Sequence, residues 1–88
     1  MKTKENFVLR EVAGSWVVLP IGAATVDFSG MLTLNESGAM LWKKMEDGAN
    51  ENAMVDALCE EYDVDREQAA HDVKEYLKTL REAGYLEE

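Results

Sequence analysis

The 88 residues contain one cysteine, one proline and one histidine. The lone Cys59 excludes a disulfide within the chain and any Cys-x-x-Cys or Cys/His metal motif. His71 falls on a stretch that reads as an exposed helix face, Cys59 on an apolar one, and no spacing joins them. A nucleophile needs an adjacent base and an orienting group, so no catalytic constellation exists and the chain is not expected to be an enzyme. The glycines stand singly, which excludes a phosphate-cradling loop. Positive charge is scarce: 9 Lys and Arg face 18 Asp and Glu, a net charge of −9. Affinity for nucleic acid rests on cations that neutralise phosphates, and anionic membranes select the same charge, so neither partner is expected. No apolar run approaches the ~20 residues that span a bilayer. No apolar segment follows the charges of Met1-Lys2-Thr3-Lys4-Glu5-Asn6, so no signal peptide is expected and the location reads as cytoplasmic.

What remains is an ordinary core in a small chain. Apolar residues make up 47%, with two Trp, three Tyr and two Phe. That composition reads as one folded domain over residues 1–88. The first third favours strands. Phe7–Ala13 is followed by the turn signal Gly14-Ser15, then by Ser15–Leu19, which Pro20 stops. Thr25–Phe28 reads as a short strand or an extended loop. After the turn Ser29-Gly30, Met31–Leu34 is the last strand.

The remainder reads as three helices. Asn35 caps the first, about Glu36 to Glu46, with Ala39, Leu41, Trp42 and Met45 at helical spacing and Gly48 as its stop. Asn50 caps the second, about Glu51 to Tyr62, with Met54, Val55, Leu58, Cys59 and Tyr62 on one stripe. Asp65 and Gln68 make a capping-box-like start to the third. Its core face is Ala69, Val73, Tyr76, Leu77 and Leu80, and it ends near Ala83-Gly84. Tyr85 and Leu86 are expected to fold back on the core, with Glu87 and Glu88 frayed. The expected fold is α+β: a small three-stranded antiparallel sheet followed by three helices, winged-helix-like.

Two weak chemical signals can be set aside. Glu60, Glu61, Asp63 and Asp65 lack the glycine and closing glutamate of a calcium loop. Glu36-Ser37-Gly38 imitates a phosphopantetheine attachment site, but the strand-rich start does not suit a helical carrier. Two surface features carry more. Met31–Leu34 is a template for strand addition if it lies at a sheet edge, and inert if it is central or covered. His71, Lys74, Lys78 and Arg81, spaced 3, 4 and 3, share one face of the third helix. They form either a solvated face among Asp72, Glu75 and Glu82 or a basic rail for an acidic partner.

Along its whole length the chain resembles the PqqD family. The likeness lies in Leu9-Arg10-Glu11-Val12-Ala13-Gly14, in Val17-Val18-Leu19-Pro20, and in Leu32-Thr33-Leu34-Asn35-Glu36-Ser37-Gly38-Ala39 with Leu41-Trp42. It continues in Leu58-Cys59-Glu60-Glu61-Tyr62-Asp63-Val64, in Asp72-Val73, and in the closing run from Leu77 to Leu86. The resemblance implies a winged-helix-like RiPP recognition element. Such a domain captures the leader of a ribosomally made precursor peptide for a tailoring enzyme, commonly a radical S-adenosylmethionine enzyme, and itself performs no chemistry and holds no cofactor. It further implies that the leader adds as a strand beside Met31, Leu32, Thr33 and Leu34. The groove shared with the third helix is expected to include some of His71, Lys74, Lys78 and Arg81. The alternative is a winged-helix nucleic-acid-binding or regulatory protein, which the charge balance opposes. An open edge strand also permits a weak homodimer beside the monomer.

Overall fold

A computed structural model describes residues 2–3, 7–22 and 32–87. Thr25–Phe28 and Met31 lie outside the described residues. Strand β1 is Lys2–Thr3, β2 is Phe7–Val12, β3 is Ser15–Pro20 and β4 is Leu32–Leu34. Helices α1 (Glu36–Glu46), α2 (Glu51–Glu61) and α3 (Arg66–Glu82) follow, and β5 (Leu86–Glu87) closes the chain. The antiparallel sheet has the order β2-β3-β4, with Leu9 opposite Val18 and Val18 opposite Leu32. A three-stranded sheet followed by three helices is therefore present as expected.

The caps explain where the helices begin. Asn35, Asn50 and Asp65 each have extended backbone, and each side chain accepts from the N–H three residues on: Gly38, Ala53 and Gln68. One detail differs from expectation. The Gln68 side chain does not return to Asp65 but donates to Asp72 Oδ1 at 2.8 Å, so the box has only its N-cap half. Helix α2 stops one residue early, because Tyr62 is already extended.

The core forms where the apolar faces meet. Phe7 and Val18 from the sheet meet Leu41, Trp42 and Met45 of α1, Met54, Val55 and Leu58 of α2, and Ala69, Val73, Leu77 and Leu80 of α3. Trp42 is fully buried, and its indole Nε1–H has no acceptor among the described residues. The ring lies edge-on to Tyr85 at 6.2 Å, and Tyr85 meets Phe7 at 4.8 Å.

Glu87 differs from its expected fraying, while Glu88 lies outside the described residues. Gly84, at φ +85°, takes the left-handed turn after α3, and Tyr85 N–H donates back to Leu80 O at 2.9 Å. That turn drives Tyr85 and Leu86 into the core as expected. Burial leaves the adjoining backbone needing partners, and Lys2–Thr3 supplies them: Glu87 pairs with Lys2 and Leu86 with Thr3. A two-stranded ladder therefore joins the ends of the chain.

Candidate functional site

Strand β4 is the place to begin. Among the described residues it has a strand neighbour on one side only, β3. Leu32 and Leu34 are half-buried against the core, while Thr33 between them is exposed. No described strand pairs with the opposite side of β4, the condition for adding a strand there.

The faces of α1 show what lies beside that edge. Trp16 of β3 sits against the Glu36–Lys43 side of α1, and Lys43 Nζ stands 4.3 Å from the centre of its ring. The other side of α1 bears Ser37, Gly38 and Leu41, and Gly38 there adjoins Leu34, the last residue of β4. There a cleft of about 400 Å³ opens between α1 and α3, lined by Asn35, Ser37, Gly38, Leu41, Leu58, Asp72, Glu75, Tyr76 and Thr79.

Its closure is set by one long-range bond. Tyr76 Oη donates to Gly38 O at 2.7 Å. Burial raises the phenol pKa above its ordinary value, and donation likewise requires the proton. Gly38 sits close to both the cap and the strand. A Cβ there would stand 3.1 Å from Asn35 Oδ1 and 3.4 Å from Leu34 Cβ, crowding the cap and the strand together.

The expected residues separate in space. Leu34 adjoins the cleft at Gly38, while Leu32, Thr33 and Leu34 themselves are not on its lining. His71, Lys74, Lys78 and Arg81 are all exposed on α3, but none lines the cleft. Lys74 and Lys78 each lie two positions from Tyr76, about 200° around the helix. His71 instead borders a shallow depression with Asp65, Glu67 and Gln68. The flank of α3 that does face α1 carries Asp72, Glu75, Tyr76 and Thr79, a stripe at i, i+3, i+4 and i+7. Its one legible signal in the sequence was Tyr76, whose hydroxyl needs a partner when the ring packs on a core. Among the described residues no group of His, Cys, Asp and Glu has the arrangement to hold a metal ion. No described helix is long and apolar enough to cross a membrane.

Residues 15–86 match the model of the family described as coenzyme PQQ synthesis protein D, PqqD. The chain belongs to the PqqD family. The matched span takes in the β4 edge, the cleft and both flanks of α3. Among solved structures, TbiB1 in complex with the TbiA(beta) leader peptide is similar over 99% of this chain and 100% of its own, with 26% identity and a TM-score of 0.77. Lasso peptide synthetase B1, complexed with a leader peptide, covers 96% of this PqqD-family chain and 93% of its own, with 21% identity and a TM-score of 0.78. At that identity the second speaks for the fold. No curated protein matches this chain.

Proposed function

We propose that this PqqD-family chain is a non-catalytic recognition element that binds the leader of a ribosomally made precursor peptide in the cytoplasm. The leader adds as a strand along Leu32–Leu34 and continues over the cleft beside Tyr76. What supports this is that β4 pairs only with β3 among the described residues, and that its last residue, Leu34, adjoins Gly38 on the lining of the α1–α3 cleft. Similarity to TbiB1, whose structure contains a leader peptide, supports it. Backbone bonds along the edge supply affinity without demanding one sequence, and side chains in the cleft supply choice. Holding the leader raises the effective concentration of the attached core segment at a tailoring enzyme, here a radical S-adenosylmethionine enzyme or another peptide-modifying enzyme. The basic stripe of α3 faces away from this cleft and is given no part in it.

An amide NMR titration with the leader of a short precursor encoded beside this gene tests the function. Saturable shifts at Leu32–Leu34, Asn35–Gly38 and Tyr76 are expected. A folded spectrum that stays unmoved, with the modifying enzyme present as well as absent, overturns it. In a gel-shift assay the chain is expected to leave duplex DNA unbound.

A further inference from the structure

Gly38 is the point at which three elements meet. It lies so close to Asn35 and Leu34 that a Cβ would stand 3.1 Å from the cap oxygen and 3.4 Å from Leu34 Cβ. Its carbonyl accepts from Tyr76 Oη at 2.7 Å, across 38 residues of sequence. The end of β4, the first turn of α1 and the cleft flank of α3 are therefore tied at one residue. The tie matters because the backbones of α1 and α3 otherwise approach little. Helix α3 lies mainly against α2, and the cleft of about 400 Å³ opens between it and α1. Tyr76 is half-buried, and burial raises its phenol pKa above the ordinary value, so the donor is present at neutral pH.

Resting on the leader binding proposed above, we infer that Tyr76 is a positioning residue for the leader: its bond to Gly38 holds the cleft flank of α3 in fixed relation to the β4 edge. A peptide that pairs with β4 and continues over the cleft binds two surfaces at once. Its second half gains from the first only while the two surfaces keep one spacing. With the bond in place that spacing is set before the peptide arrives, so binding does not have to order it. Without the bond, the arrangement that fits is one of several, and apparent affinity falls by the fraction in which it is populated. Pairing with the edge alone asks nothing of α3.

The test uses the full chain against a displayed library of random 15-residue peptides. Binders are sorted by whether a proline in β4 abolishes their binding, which isolates edge-bound peptides. One of these that also shifts the Tyr76 and Thr79 amides in an NMR titration spans both surfaces. It is compared, by the same titration, with a truncation that keeps only its edge-pairing half. Tyr76→Phe keeps the ring and loses the donor, and circular dichroism should show it folded. Its affinity for the spanning peptide is expected to fall about fivefold, and its affinity for the truncation to stay unchanged. In the peptide-free variant, hydrogen exchange at the Gly38–Leu41 amides is expected to quicken; a phenol that only touched the peptide would leave it as it was. Equal losses for both peptides, no loss for either, or unchanged exchange in the free variant overturn the positioning role and leave leader binding standing. Edge-bound peptides of which none reaches the cleft do the same. A library that yields no edge-bound peptide overturns both.

Discussion

The two flanks of α3 carry opposite charge and have opposite surroundings. One bears His71, Lys74, Lys78 and Arg81 and is exposed throughout. The other bears Asp72, Glu75, Tyr76 and Thr79 and closes a cleft against α1. In the sequence the basic stripe draws the eye, because cations are few. In the structure the acidic flank is the one that lines the cleft beside α1, where Tyr76 reaches Gly38. Rarity of charge marks a stripe; packing decides whether that stripe faces anything.

That contrast is open to direct attack. Proline placed along β4 should have the largest effect. Inward and outward N–H groups alternate along a strand, so Thr33→Pro and Leu34→Pro should differ. The variant that loses an outward N–H is expected to remain folded and bind an edge-bound peptide about a hundredfold more weakly. The other is expected to loosen β4 from β3. Affinity by calorimetry, beside circular dichroism, distinguishes them. Charge swaps on the two flanks come next. Asp72→Lys with Glu75→Lys should change affinity for the leader by about tenfold, whereas Lys74→Glu with Lys78→Glu should leave it within about twofold. Equal losses on both sides would erase the contrast.

Tyr76→Phe tests the bond that joins the cleft flank to α1. It leaves Gly38 O without its side-chain donor and should cost about 1 kcal/mol in a denaturant melt. It should also change the alkaline limb. Because the folded state holds the phenol proton more tightly than the unfolded chain, this contribution is complete below the unfolded value of about 10 and is lost as pH rises beyond it. Melts between about pH 9 and 11 should therefore fall more steeply for the natural chain than for Tyr76→Phe. The smallest effect belongs to a control that neither flank touches. Ala13 has φ +52° in the β2–β3 turn, a left-handed conformation that asparagine adopts more readily than alanine. Ala13→Asn should stabilise by about 0.5 kcal/mol with no change in binding.

Much of the fold is legible because its signals are local. Asn35, Asn50 and Asp65 start helices through bonds that span three residues, and the apolar stripes of α1, α2 and α3 become the core as spaced. The corner from Leu34 into α1 is written in Asn35 and Gly38. The pairing of Lys2–Thr3 with Leu86–Glu87 was not legible, since two-residue strands carry no periodic pattern. The lining of the cleft was not legible either. Tyr76 sits on the apolar stripe, but its partner lies 38 residues away, and Asp72, Glu75 and Thr79 look like any solvated face.

By itself, then, the sequence determined the element types, the caps and the apolar faces, because each depends on neighbours within one helical turn or one strand. It also determined the acidic balance, which composition decides directly. Only the tertiary structure decided that β4 pairs with β3 alone among the described residues, that Leu34 adjoins Gly38 at the α1–α3 cleft, and which flank of α3 lines that cleft. Those facts depend on how α3 is rotated when it packs. That rotation is set by Ala69, Val73, Leu77 and Leu80 against the core and by Tyr76 on Gly38, contacts between residues far apart in the chain.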